Sequence, residues 1–352
     1  FMALHEVNHN AIWTEWEMPL RKRHKAAITK AQQAHADKID YHRFCQFVFF
    51  QQWHELRDYA NKKDILIFGD LPIYVALDSA DVWANPKLFS LDKDCQPKYV
   101  AGVPPDYFSD TGQRWGNPQY NWPALEKDDF AWWQARFKTQ LALFDVLRVD
   151  HFRGFQAYWE IKAEEETAIN GRWIEAPGEA LLKKLNKVFK NLPLVAEDLG
   201  IITDEVDALR QNFKLPGMKV LQFAFDFTPH NPYLPHNHEY NSVAYTGTHD
   251  NDTSLSWYQQ LSEHNQHYIY NYLNTPEHDT MPWPLIRTAL ASVCCLAVLP
   301  MQDILSLGEG HRMNTPGTTE GNWQWRFEWQ QVHNSLAGDL NQLVRLYDRG
   351  GD

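Results

Sequence analysis

Short apolar runs that stop at a carboxylate recur along this chain, and they set its expected architecture. The central one is Phe144-Asp-Val-Leu-Arg-Val-Asp150-His151-Phe-Arg153-Gly154. Read as a strand with alternating faces, it puts Leu147 and Val149 on one side and Arg148 and Asp150 on the other. An arginine two places before an aspartate then shares its face and keeps the carboxylate ionised at neutral pH. Ile65-Leu-Ile-Phe-Gly69-Asp70-Leu-Pro72-Ile-Tyr74-Val75 has the same form, with Asp70 expected just past the end of a buried parallel strand. Leu192-Pro-Leu-Val-Ala-Glu197-Asp198-Leu-Gly200 is another such run. Met218 to Phe225 with Asp226, Ser242 to Tyr245 leading to His249-Asp250-Asn251-Asp252, and Cys294 to Leu299 leading to Gln302-Asp303 complete the set.

Between these runs the period becomes helical. Phe130 to Phe144 reads as a helix, as do the segments carrying Leu181, Leu182, Leu185, Val188 and Phe189, and Val206, Leu209 and Phe213 behind Asp204 and Glu205. Residues 1–62 read as helical, with an aromatic segment from His42 to Leu56 in which Phe44, Phe47, Val48 and Trp53 recur near helical spacing. The chain opens on Phe1 rather than Met, which points to a piece of something longer. After Val75 comes a long stretch rich in Pro, Gly and aromatics. It includes Trp83, Pro104-Pro105-Asp106-Tyr107-Phe108 and Gly112-Gln-Arg114-Trp115-Gly116-Asn117-Pro118. Connections of this length in compact domains are usually lids or binding loops.

The strand candidates begin near residues 65, 146, 194, 219, 243 and 296, and each ends in a polar or acidic cluster. Catalytic groups at the C-terminal ends of several parallel strands are the signature of a TIM-type barrel. A doubly wound open sheet alternates in the same way but carries a Gly-rich phosphate loop, and neither a G-x-G-x-x-G nor a Walker sequence is present.

Composition narrows the picture. With 44% hydrophobic and 22% charged residues the chain can bury a large core and has no compositional case for disorder. A net charge of -12 argues against nucleic acid or an anionic membrane as the main partner. The four cysteines form no C-x-x-C pair, so a reducing compartment is expected, with Cys294 and Cys295 both in the core. The longest apolar stretch, Ala291 to Met301, is too short to cross a bilayer, and no signal-type run opens the chain; a cytoplasmic protein is expected.

Asp150, Glu197 and Asp250 each close a different strand. A carboxylate pair across a glycosidic bond can act as nucleophile and general acid/base, provided their environments hold them in opposite protonation states. Asp150 beside Arg148 is set up to stay charged, and Glu197 behind apolar residues to carry a proton. Asp250, with His249, suits binding of sugar hydroxyls and stabilisation of positive charge at the reacting carbon. Taken singly, each acid is equally well a strand-closing, helix-capping or turn residue. Asp150 with His151, His249 with Asp250, and His236 with His238 also admit a metal-dependent barrel hydrolase, although none of these pairs has the spacing of an H-E-x-x-H motif.

Longer motifs carry a resemblance. Phe68-Gly-Asp-Leu-Pro-Ile-Tyr-Val75, Ala101-Gly-Val-Pro-Pro-Asp-Tyr-Phe108, Arg114-Trp-Gly-Asn-Pro118, Arg148-Val-Asp-His-Phe-Arg-Gly154, Ala196-Glu-Asp-Leu-Gly200, Gly217 to Asp226, Tyr245-Thr-Gly-Thr-His-Asp-Asn-Asp252 and Gly321-Asn-Trp323 resemble glycoside hydrolase family 77, the 4-α-glucanotransferases, in the family's order. The resemblance implies a TIM (β/α)8 barrel of the α-amylase clan. It implies transfer of an α-1,4-glucan segment to the 4-hydroxyl of another glucan or glucose, by retaining double displacement through a covalent glycosyl-enzyme. Asp150 is then the nucleophile, Glu197 the acid/base and Asp250 the transition-state stabiliser, supported by Arg148, His151 and His249. Asp70, Tyr74, Asp106, Tyr107, Trp115 and Asn322 become expected sugar contacts. The partners implied are α-1,4-glucans, maltooligosaccharides and glucose, with no metal or organic cofactor.

The family barrel has two strands before the one at Ile65, and residues 1–62 offer neither. The expected layout is therefore a helical segment 1–62, a barrel 63–330 lacking its first two strands and carrying a lid loop 101–118, and a helical segment 331–352. A truncated barrel that only binds glucan or is inert is the non-enzyme alternative.

Overall fold

The computed structural model describes residues 1–106, 109–275 and 280–350, and the chain divides into two compact units, Phe1–Phe213 and Lys214–Asp352. In the first, residues 1–67 form helices and no strand. The longest, Ala36–Asn61, has the predicted aromatic periodicity, but only part of it is used inside this unit. Trp53 donates from Nε1 to the Leu143 carbonyl at 2.8 Å and meets the Phe144 ring edge-on. Phe44 and Phe47, expected on the buried face, are 64% and 66% exposed. Among the described residues no helix is long and apolar enough to cross a membrane.

The strands of the first unit are β1 (Phe68–Pro72), β2 (Tyr99–Val103), β3 (Gln113–Pro118), β4 (Val146–Asp150), β5 (Ala157–Lys162), β6 (Gly171–Glu175) and β7 (Leu194–Ala196). They form a parallel sheet in the order β1-β4-β7 and an antiparallel sheet in the order β3-β2-β5-β6. The antiparallel sheet is a departure from the sequence reading. Much of the stretch that composition reads as loop is the β2–β3 hairpin, because β5 offers β2 an edge from Lys162 to Trp159 to pair with.

β1 also starts later than its apolar run. Ile65 and Leu66 are 57% and 64% exposed, and the strand runs through Gly69 and Asp70 to Pro72, so Asp70 is mid-strand rather than past its end. The cause lies at Asp145. Its carboxylate accepts hydrogen bonds from Ile67 N–H at 2.8 Å, from Arg57 at 3.0 and 2.6 Å, and from Asn61 at 2.9 Å. Burial raises its pKa, but these donors outweigh it and hold the group below the usual carboxylate range. The chain is thus pinned at Ile67, and pairing begins at the next residue, Phe68 opposite Val146. Gly69 is required there: a Cβ would lie 2.2 Å from the Phe144 ring. Leu71, Leu147, Val149 and Ala196 fill the core of this sheet, each almost without exposure.

In the second unit β8 (Gly217–Val220), β9 (Ser242–Tyr245) and β10 (Leu296–Val298) form a parallel sheet in the order β10-β9-β8. The expected strand from Met218 to Phe225 stops at Val220, and Leu221–Phe223 make a 3-10 turn. Leu221 and Phe225 are nevertheless buried, packed with Leu234, Ile269 and Leu285, so the long apolar run marks core rather than strand. Cys294 is buried but Cys295 is exposed, against the expectation that both are core, because neighbours along an extended chain face opposite ways. All four cysteines are free thiols.

Candidate active site

Parallel register brings the acids of the first unit together. Asp70 on β1 lies opposite Arg148 on β4, and Pro72 opposite Asp150. Arg148 forks onto Asp70, Nε to Oδ1 at 2.9 Å and Nη2 to Oδ2 at 2.7 Å, and the same Nη2 reaches Asp150 Oδ1 at 2.8 Å. Its side chain is only 8% exposed. Burial opposes the guanidinium charge, but hydrogen bonding and charge from Asp70, with the charges of Asp150 and Glu197, hold it more firmly cationic than usual. Sequence alone pairs Arg148 with Asp150; the sheet adds Asp70 as a second partner.

Glu197 follows β7 directly. Its backbone extends the ladder, with Glu197 N–H donating to the Val149 carbonyl at 3.0 Å and Phe152 N–H to the Glu197 carbonyl at 3.1 Å. Two backbone donors fix its carboxyl: His151 N–H to Oε2 at 2.6 Å and Leu199 N–H to Oε1 at 3.0 Å. Burial and then the negative charge of Asp150 push its pKa up to about 8, with Arg148 and the two N–H groups opposing. The site therefore sets an arginine-paired carboxylate beside a carboxyl that keeps its proton at neutral pH. Such a pair can divide nucleophilic attack from proton donation.

His151 adopts a left-handed backbone, φ 54°, and its ring is buried. Burial, then the charge of Arg153, lowers its pKa to about 3, so the imidazole is neutral. Among the described residues its Nε2 has no hydrogen-bond partner. Trp115 on β3 stands edge-on to it with ring centroids 4.8 Å apart, and Tyr74 lies 6.4 Å from it and 6.2 Å from Trp115. The antiparallel sheet thus brings an aromatic, 38% exposed, to the residue next to Asp150. Arg153, buried and stacked 3.7 Å over the Trp173 ring, ties β6 to the same turn, and only its place in the motif marks it in the sequence.

Asp250, in the second unit, follows β9 in a polar turn. Thr248 donates to Asn251 Oδ1 from N–H and from Oγ1, at 2.9 Å each, and Thr248 Oγ1 accepts from Asp250 N–H at 3.2 Å. A Cβ at Gly247 would come within 2.6 Å of Gln222 Nε2, so Gln222 would have to shift from its bond to the Asp252 carbonyl. Asp250 Oδ1 accepts from Asn314 Nδ2 at 2.6 Å, Oδ2 lies 3.2 Å from His249 Nε2, and Arg312 Nη2 donates to its backbone carbonyl at 2.5 Å. Asn314 and Arg312 were missed, since no local signal links them to a residue more than sixty positions earlier. Asp303, after β10, is 1% exposed and accepts from Thr246 Oγ1 at 2.6 Å and from Ser254 N–H and Oγ at 2.8 and 2.7 Å, bracing the loop that carries Asp250.

Asp106 and Asn322, also expected contacts, have partners within their own loops. Asp106 Oδ1 accepts from Ser109 N–H at 2.9 Å in the β2–β3 turn, and Tyr107 lies outside the described residues. Asn322 organises its own loop, accepting from Thr315 N–H and donating to Thr318. His236 engages Tyr272 and Pro229, and His238 engages Tyr233 and Cys294. Among the described residues no three His, Cys, Asp or Glu side chains gather closely enough to hold a metal ion.

The 4-alpha-glucanotransferase family, glycoside hydrolase 77, matches residues 1–332. A 4-alpha-glucanotransferase of Synechocystis is 50% identical over 352 residues, covering 99% of this chain and 70% of that protein. One from Thermus thermophilus is 51% identical, covering 99% and 71%. The solved amylomaltase of Streptococcus agalactiae in complex with acarbose superposes with a TM-score of 0.97 at 39% identity, covering 99% of this chain and 71% of that one. Together with the parallel strands and their terminal acids, these matches define an α/β transferase. The chain belongs to glycoside hydrolase family 77, the 4-α-glucanotransferases.

Proposed function

We propose that this chain moves an α-1,4-glucan segment to the 4-hydroxyl of another glucan, a maltooligosaccharide or glucose, by retaining double displacement. The observation that carries this reading is the pairing of Asp150 with Arg148 beside a Glu197 whose pKa is raised to about 8. Asp150 attacks the anomeric carbon and forms an ester as the bond from that carbon to the leaving O4 breaks. Glu197 gives its proton to that oxygen. In the second half the acceptor's 4-hydroxyl loses its proton to the Glu197 carboxylate, attacks the same carbon, and frees Asp150. Asp250, steadied by Asn314 and His249, faces the positive charge that builds on the sugar ring in both halves.

Within this reading the two parallel sheets are parts of a (β/α)8 barrel, residues 63–330, flanked by the helical segments 1–62 and 331–352. The family membership and the acids at parallel strand ends support it. Asp70 acts by orienting Arg148; Tyr74, Trp115, Asp106, Tyr107, His249 and Asn322 are assigned to sugar contact. The segment 101–118 excludes water, so that a sugar hydroxyl resolves the covalent intermediate. Acarbose in the Streptococcus agalactiae relative supports an oligosaccharide ligand.

Incubation with maltotriose tests the reading. Glucose and longer oligomers appear together, with few new reducing ends, and Asp150→Asn removes activity by on the order of 10⁴-fold or more. Turnover that survives Asp150→Asn overturns the assignment. Binding of maltotriose without products favours the glucan-binding alternative, which uses the same residues.

A further inference from the structure

We propose that Arg210 is a positioning residue for Glu197, acting through Asp198 on the loop that supplies one of the donors to the Glu197 carboxyl. The inference rests on the reading of Glu197 as acid/base and adds how its carboxyl is aimed. Residues 197–203 lie outside every helix and strand, between β7 and the helix Asp204–Asn212. Of the two N–H groups on that carboxyl, one comes from the turn at His151 and the other, Leu199, from this loop. A loop peptide fixes a side chain only as firmly as the loop itself is fixed.

The loop is gripped on either side of Leu199. Before it, the Asp198 carboxylate meets Arg210 on the helix, Oδ2 to Nε at 3.2 Å, and the two side chains are only 11% and 7% exposed. Beyond it, the Ile201 carbonyl accepts from Nη1 of Arg153, a residue of the same turn as His151. Arg153 thereby joins the two stretches that carry the donors, and Arg210 fixes the part nearest Glu197. Arg210 does not need Asp198 for its own charge, because Asp207 in its own helix already accepts from its Nη2 at 2.6 Å. A buried ion pair is also a weak source of stability, since the cost of desolvation offsets most of the attraction. What the contact with Asp198 does supply is a fixed place for the residue between Glu197 and Leu199.

Two readouts follow the Glu197 proton: the alkaline limb of maltotriose turnover, and the carboxyl band that Glu197→Gln removes from the infrared spectrum. An N–H donor favours the charged carboxylate, so a loosened Leu199 lets Glu197 keep its proton to higher pH. Asp198→Asn keeps the side chain's shape and leaves Arg210 its bond to Asp207. Both readouts then move upward from about 8, by up to about one pH unit, and kcat falls about tenfold with KM within about twofold. Removing the Asp198 charge by itself would move them down, so the direction separates placement from charge. Arg210→Lys, which keeps a cation for Asp198, stays closer to the wild type than Arg210→Met. Arg57→Met, which takes the cation from Asp145 in another partly buried pair, lowers stability and leaves the limb in place. A limb and band that stay or move down in Asp198→Asn overturn the proposal, and so does an equal upward movement in Arg57→Met. A wild-type chain that does not convert maltotriose removes the glucanotransferase reading instead, and the carboxyl band alone then decides the role of Arg210.

Discussion

Glu197 and Asp250 each follow a strand of a parallel sheet, yet their surroundings differ in kind. Glu197 is held by two backbone N–H groups, out of water and next to another carboxylate, and its pKa rises to about 8. Asp250 is 42% exposed at its side chain and is held by a neutral amide and an imidazole from its own turn and a later loop. Strand-end position therefore supplies a place, and the partners supply the chemistry: proton storage in one unit, a fixed acceptor in the other. Asp150 is a third case, with its charge answered by a buried arginine that also answers Asp70.

The contrast can be broken hardest at Glu197. Glu197→Gln keeps shape and removes the transferable proton, so maltotriose turnover should fall about 10²- to 10⁴-fold. In the unaltered chain the protonated carboxyl is the active form, so kcat should decline as pH rises through about 8, and this limb should vanish in the variant's residual rate. A pH profile flat to 10 would separate Glu197 from proton donation. Next is Arg148→Met, which leaves two neighbouring carboxylates without their shared cation. Breaking a buried ion pair costs about 3–5 kcal/mol, and the two acids, at 38% and 40% exposure, are partly screened by water, so about 2–3 kcal/mol is expected in denaturant unfolding. A loss below about 1 kcal/mol would show that solvent, not Arg148, answers those charges. The smallest change is Asn314→Ala. It removes one hydrogen bond to a partly exposed carboxylate, and kcat/KM should fall about tenfold with little loss of stability. An unchanged kcat/KM would show that Asp250 needs no fixed orientation.

The acids were legible because burial and charge are both local in sequence: a few apolar residues, then Asp or Glu, is how a strand leaves a core. The boundaries were not, because they depend on distant pairing. Ile65 and Leu66 are as apolar as the strand they precede, but Asp145, some eighty residues on, pins Ile67 and sets where pairing begins. The antiparallel sheet was hidden for the same reason: Tyr99–Val103 becomes a strand only when Ala157–Lys162 lies beside it. Asn314 and Arg312 reach Asp250 through the fold alone.

The left-handed turn at His151 carries one more consequence. It follows Asp150 immediately, and its own N–H is the donor that seizes Glu197. The peptide that follows Asp150 therefore holds the Glu197 carboxyl, while backbone bonds from residues 149 and 152 hold the Glu197 main chain. The separation of the two acids is written into the main chain, and mutational drift among the surrounding side chains can retune acidity without altering reach. A β-branched residue at 151 is the exception, because it disfavours the left-handed conformation itself and would loosen that hold.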